Sequence, residues 1–323
     1  MVLNKYIEKY FKYLNNDIIE KLDTNSILLA KILIEKLKFK KEISSLSEIE
    51  FSVFSQFGED GIIQYLINKI PIKKDRFIEF GVGNYRESNT RFLLINNNWS
   101  GLIIDSNKSE LEEIYKESIS WKYDLQALNE YITRENINDI FEKVGFTGKI
   151  GLLSIDIDGN DYWIWDALTI IDPTIVICEY NSIFGNKHAI TIPYRPDFDR
   201  KKAHFSYLYF GASIRALCHL AEKKGYAFIG CTNAGNNAFF VKKEYSSLFE
   251  TLTPTDGYIF SSFNESRDKN GMMSYVRGED RISLINEMEV YDLMSDSVKK
   301  IKDYEDFFIS DTNSLSVVTN QEN

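Results

Sequence analysis

The sequence predicts an α/β fold: a Rossmann-like seven-stranded sheet, parallel except for its last strand, with helices on both faces. Three observations carry this expectation. Between residues 50 and 245, short Val/Ile/Leu/Phe runs alternate with amphipathic segments, the pattern of a parallel sheet buried on both sides. The first run ends in Gly81-Val82-Gly83, a turn that lets backbone approach a ligand closely. The last two runs are joined by Thr232-Asn233-Ala234-Gly235-Asn236-Asn237, turn chemistry that makes a hairpin and reverses the final strand.

Composition bounds the possibilities. The chain has 323 residues, 44% of them apolar, with 19 Tyr and 22 Phe, enough to fill a core and to exclude wholesale disorder. Lys and Arg number 38 against 48 Asp and Glu, a net charge of −10. That balance argues against a general nucleic-acid binder. Cys178, Cys218 and Cys231 have no CxxC spacing, so a reducing compartment is expected. No signal-like segment opens the chain, and no apolar run approaches the ~20 residues that span a bilayer. The expectation is a cytoplasmic protein without a transmembrane segment.

The elements follow in order. Residues 1–49 form a helical segment: one helix to about Leu22, a break at Asp23-Thr24-Asn25-Ser26, and a second helix from Ile27 to Phe39. Its local excess of Lys fits a solvated face, a lid, a membrane-surface contact or a contact between copies of the chain. In residues 50–245, strands are expected at Arg76–Gly81, Gly101–Asp105, Ser118–Leu125, Gly151–Asp156, Thr174–Glu179, Ala227–Cys231 and Ala238–Lys242. Helices are expected at Asp60–Lys69, Asn89–Asn96, Glu110–Lys116, Asn136–Val144, Asp161–Leu168 and Gly211–Lys224. Residues 183–208 read as a long polar insertion, placed to cap a substrate. Residues 246–323 read as a helical extension whose tail, 312–323, is frayed.

The glycine turn is the strongest local signal. Glu79 lies in the strand before it, and Asp105 closes the next strand, where a carboxylate can accept from both ribose hydroxyls. An NAD site wants G-x-G-x-x-G, but Arg86 stands where the third Gly would be. S-adenosylmethionine (SAM) has no pyrophosphate and needs no third Gly, and the closing hairpin favours the same ligand.

Glu79–Asn84, Asp105, Asp124 and the hairpin together resemble class I SAM-dependent methyltransferases. Ser55-Gln56-Phe57-Gly58-Glu59-Asp60-Gly61, Ser88-Asn89-Thr90, Trp99–Asp105 and Ser154-Ile155-Asp156-Ile157-Asp158-Gly159 are similar to FkbM-like members. The resemblance covers roughly residues 50–243 and departs from the family at Asn160-Asp161. It implies that Gly81 and Gly83 lie under the methionine part of SAM and that Asp105 and Ser106 hold the ribose. Asp124 and Leu125 would flank the adenine, and Gln56, Glu79, Ser88 and Asn89 would serve the amino-acid end. For Gln56 and Ser88 a helix-capping role competes.

Asp156, Asp158 and Asp161 follow the fourth strand, and Glu179 and Asn181 follow the fifth, so all belong to the carboxyl edge where open α/β sheets bind ligands. Three readings compete. Asp156, Asp158 or Glu179 is a general base; Asp158, Glu179 and Asn181 hold Mg²⁺; or Asp158–Asp161 caps the next helix. His188 and His204, in the insertion, are further candidate bases, whereas His219 falls within a helix. Lys187, Arg195, Arg200, Lys201 and Lys202 give the insertion a basic bias suited to a phosphorylated substrate. The expected activity is O-methylation of a hydroxyl on a sugar, sugar nucleotide or surface-glycan precursor. The competing readings are an NAD-type oxidoreductase and a non-catalytic SAM-fold binding or assembly module.

Overall fold

The computed structural model describes the backbone of residues 2–40 and 42–309 and the side chains of 18–40 and 42–309. The chain opens with one continuous helix, α1 (Val2–Lys38). The expected break at Asp23–Ser26 does not occur. That stretch holds no Gly or Pro, and the Thr24 hydroxyl donates to the Glu20 carbonyl one turn back, at 2.8 Å, so the polar side chain is accommodated inside the helix.

Next come α2 (Glu59–Lys69), β1 (Arg76–Phe80), α3 (Arg91–Asn97), β2 (Ser100–Asp105), α4 (Lys108–Lys116) and α5 (Ile119–Lys122). They are followed by β3 (Leu125–Asn129), α6 (Ile137–Val144), β4 (Gly148–Ile155), α7 (Asp161–Ala167) and β5 (Ile171–Glu179). The second half adds β6 (Ile190–Thr191), α8 (Arg200–Ala203), α9 (Ile214–Lys223), β7 (Tyr226–Cys231), β8 (Asn237–Lys242), α10 (Asp280–Leu284), β9 (Glu289–Asp292) and β10 (Ser297–Lys300).

The main sheet has the order β3-β2-β1-β4-β5-β8-β7. It is parallel from β3 to β5, and β8 runs antiparallel to both β5 and β7. This is the Rossmann-like class I methyltransferase sheet. The strand order reverses between β1 and β4, which opens a crevice at the carboxyl edge there. One apolar layer packs Phe80, Phe141, Trp165 and Phe240 against one face. The other packs Tyr65, Phe77, Tyr85 and Phe239 against the opposite face.

Two expectations are corrected. The third strand is not Ser118–Leu125. Residues 119–122 form a helical turn that buries Ile119 and leaves Trp121 exposed, and β3 begins where the expected strand ends. Residues 183–208 are not a free loop either. Within them, β6 pairs antiparallel with β9, and β9 pairs with β10, so insertion and extension share a second sheet. Its core includes Phe184, Ile190, Leu208, Ile285, Val290 and Ile301. The helical character expected of the extension reduces, among the described residues, to α10 and short 3-10 turns. The frayed tail lies outside the described residues.

Phe77 and Gly101 are register partners on β1 and β2. A Cβ at Gly101 would come within 2.0 Å of the Phe77 ring, so the ring occupies the space a side chain would take. Gly101→Ala is expected to destabilise the protein by about 1–3 kcal/mol through overpacking. Chemical denaturation of Gly101→Ala, Phe77→Leu and the double variant checks this. The double variant should be more stable than the two single losses predict, and strict additivity would contradict the packing account.

Candidate active site

A cleft of about 1490 Å³ opens at the carboxyl edge of the sheet, between the ends of β1–β5, the hairpin and the insertion. Its first wall is the glycine turn. Gly81 has φ +71° and Gly83 φ +52°, a region that only glycine adopts without strain. A Cβ at Gly81 would lie 1.7 Å from the Asp156 carbonyl oxygen, whereas one at Gly83 would meet nothing within 4 Å. Gly81 thus lets β1 close against the end of β4, and Gly83 leaves open space.

Asp105 ties this wall to β2. Its carboxylate accepts from the Gly83 amide at 2.8 Å and the Asn107 amide at 2.7 Å. A carboxylate has about four acceptor sites, so room remains for ligand hydroxyls. Ser106 and Gln56 also line the cleft. Glu79, Ser88 and Asn89 border it too, but their polar groups are turned toward one another. Buried Glu79 accepts from the Ser88 hydroxyl (2.7 Å), the Asn89 amide (2.8 Å) and the Thr90 amide (3.0 Å). The Asn89 side chain donates to Ser154 at 3.1 Å. These residues brace the turn that carries the glycines.

Asp124 and Leu125 are not in the cleft. In the parallel register Leu125 faces Gly101 and Asn129 faces Asp105, so Leu125 and the preceding Asp124 stand at the amino edge. The misplaced third strand caused the error. At the ligand edge after β3 stand Glu130, Tyr131 and Ile132, and correct placement of that strand would have identified them.

The carboxylates after β4 and β5 do converge. Asp156, Asp161 and Glu179 place oxygens within 4.8 Å of one another. Asp161 is committed to its own turn: its oxygens accept from the Ile157 amide (2.8 Å) and the Gly159 amide (3.0 Å). Burial pushes it up to about 6 against these hydrogen bonds. Asp156 and Glu179 are both held well above the usual carboxylate range, first by burial and then by the neighbouring carboxylates. Glu179 Oε2 is buried without a hydrogen-bond donor, which is relieved if the pair shares a proton.

Asp158 points elsewhere. It accepts from Arg200 Nη1 at 2.5 Å. Arg200 also donates to the Tyr207 carbonyl at 2.5 Å, lies 3.6 Å from Glu265 and covers the Phe210 ring. Asn181 is equally occupied: its side chain donates to the carbonyls of Leu208 (2.9 Å) and Phe210 (3.0 Å) and accepts from the Ile183 amide (3.1 Å). The metal set Asp158, Glu179 and Asn181 is therefore not assembled.

Neither expected histidine lines the cleft. His188 Nε2 contacts the Asp306 carbonyl at 2.9 Å and its ring packs on Tyr304 and Phe307, tying the extension to the insertion. His204 Nδ1 meets the Ser206 hydroxyl at 2.7 Å, and burial lowers its pKa. The basic bias of the insertion is also largely neutralised, because Lys187, Arg195, Arg200 and Lys202 each pair with a carboxylate. Sequence reasoning missed the rest of the outer wall: Phe57 stacked on Phe263 at 5.9 Å, with Asn236, Asn237 and Arg267.

No protein-family description and no curated protein matches the chain. Among solved structures, it is similar to a SAM-dependent methyltransferase from Clostridium acetobutylicum, at 9% identity and TM-score 0.35, over 57% of this chain and 90% of that one. PKMT2 from Rickettsia typhi in complex with AdoHcy gives 12% and 0.36, over 56% of this chain and 51% of that one. A SAM-dependent methyltransferase from Aquifex aeolicus gives 9% and 0.32, over 64% and 96%. These likenesses are distant, and the fold assignment rests on the strand order and polarity themselves.

The raised carboxyls of Asp156, Asp161 and Glu179 fix the sign of a pH effect. A carboxyl raised by folding contributes stability that is complete below its unfolded value and is lost as pH rises through its folded value. As pH rises above the ordinary carboxylate range, the melting temperature should fall more steeply in the native chain than in Glu179→Gln, which removes one of the three raised carboxyls. Calorimetry of both checks this, and identical pH profiles would contradict the coupling.

Proposed function

We propose that the chain is a SAM-dependent methyltransferase whose acceptor is a hydroxyl on a sugar, sugar nucleotide or glycan precursor. The observation that carries this reading is the presence, in one cleft, of an open glycine turn braced by Asp105 and the adjacent carboxyls of half-buried Asp156 and buried Glu179. The residues present fit the cofactor, because Gly83 opens onto free space and the Asp105 carboxylate keeps acceptor capacity. When bound, SAM supplies a methyl group on a sulfonium.

Gly81 and Gly83 would hold its methionine part, Asp105 its ribose, and Tyr131 and Ile132 its base. The Asp156–Glu179 pair takes the proton that the acceptor hydroxyl loses. Burial, then the neighbouring carboxylates, raises its proton affinity, the direction a proton acceptor needs. The hydroxyl acceptor and its glycan setting rest on the FkbM-like resemblance, and the paired cations of the insertion give little support to a phosphate. Three free cysteines fit a cytoplasmic setting.

The competing readings are weaker. For NAD, the third glycine position is Arg86, paired with Glu117 at 2.9 Å. Moreover α3 begins only at Arg91, so no helix N-terminus directly follows the glycine turn. A non-catalytic module leaves unexplained why two carboxyls are enclosed together at a cost in stability. A Mg²⁺ reading survives on different residues: Asp156 and Glu179 converge, and Mg²⁺ is commonly held by one or two carboxylates plus water.

Isothermal titration is expected to show binding of SAM and none of NAD. Asp105→Ala should weaken SAM roughly 10- to 100-fold, the loss of charge-assisted hydrogen bonds. Absence of binding at millimolar SAM would overturn the proposal. Transfer of labelled methyl to a panel of nucleotide sugars and glycans should fall by roughly 100-fold or more in Asp156→Asn. Loss of turnover with a chelator would favour the Mg²⁺ variant.

A further inference from the structure

α1 carries two apolar faces, and the domain uses one. Ala30 and Ile34 are buried, in contact with Phe54 and Phe92. On the other side Ile18, Leu22, Leu29 and Ile32 are 54–63% exposed. With Asn25 between them, they follow the spacing 4-3-4-3, which keeps a straight seam along a helix about 21 Å long over these residues. Ile19, Leu28 and Leu33 widen the seam and are exposed as well. In sequence the three-or-four spacing continues upstream at Leu14, Phe11 and Ile7.

We propose that this face pairs with the same face of a second copy of the chain, antiparallel about a two-fold axis at Asn25. The exposed Ile and Leu side chains of residues 18–33 offer on the order of 600 Å² per copy, or ~1,200 Å² for a pair, which reaches the range of specific interfaces. A two-fold interface must match its own patch. Antiparallel pairing about residue 25 sets Ile18 opposite Ile32 and Asn25 opposite itself. An amide both donates and accepts, so Asn25 satisfies its own copy, and a single polar residue in an apolar seam fixes register. A second helix suits the regular 4-3-4-3 spacing, whereas a lipid surface selects no register.

Sedimentation equilibrium of the full chain is the test. It should give twice the 37.5 kDa chain mass at tens of micromolar. Leu22→Glu/Leu29→Glu should return it to monomer, with self-association weakened at least 100-fold and the melting profile of the main domain retained. Asn25→Cys should cross-link into a covalent dimer under mild oxidation, whereas Thr24→Cys, off the seam, should behave like the native chain. A native monomer at all concentrations would overturn the proposal, as would a dimer indifferent to both glutamates. A native monomer that floats with phosphatidylglycerol vesicles would assign the face to membranes instead.

Discussion

Crowding of carboxyl groups at the ends of β4 and β5 is the constraint around which this molecule is arranged. Asp156, Asp158, Asp161 and Glu179 occupy one edge, in surroundings that disfavour buried negative charge. Each is accommodated differently. Asp161 is met by backbone amides of its own turn, and Asp158 by Arg200. Asp156 and Glu179 lie beside each other, and burial first, then the neighbouring carboxylates, raises their proton affinity. This treatment sets the Asp156–Glu179 pair apart from Asp158 and Asp161.

The remaining architecture serves that edge. Gly81 has no side chain where the Asp156 carbonyl needs space, so β1 and β4 can end side by side. Glu79, buried behind the turn, gathers the amides and hydroxyls of residues 88–90 and keeps the glycine wall in place. The insertion brings Arg200 back over Asp158, and its own position is secured from behind by the sheet it shares with the extension. His188, which looked like a base, is part of that support.

Much of this was legible in the sequence where the signal was local. β1, β2 and the closing hairpin announced themselves because buried runs end in glycine or turn residues. Gly81, Gly83, Asp105, Asp156 and Glu179 were expected together from their places at strand ends, and all five line one cleft. β3 was not, because it is the edge strand and only partly buried, so its alternation is weak and Ile119 and Trp121 mimicked a strand. That single displacement put Asp124, which stands at the amino edge, in place of the residues after Asn129 that line the cleft. Asn181, His188 and His204 were misjudged for another reason. Their partners lie in carbonyls and side chains that only tertiary structure brings near, and residue type alone does not show that a polar group is already engaged.

The central claim is that one cleft joins a cofactor wall at Gly81, Gly83 and Asp105 to a proton-accepting pair at Asp156 and Glu179. A crystal structure of the protein grown with S-adenosylhomocysteine tests it most directly. The account predicts the ribose on Asp105, the base beside Tyr131 and Ile132, and the sulfur facing the Asp156–Glu179 pair across a space sufficient for an acceptor hydroxyl. A ligand lodged elsewhere in the cleft, with Asp105 still bonded only to Gly83 and Asn107, would contradict it.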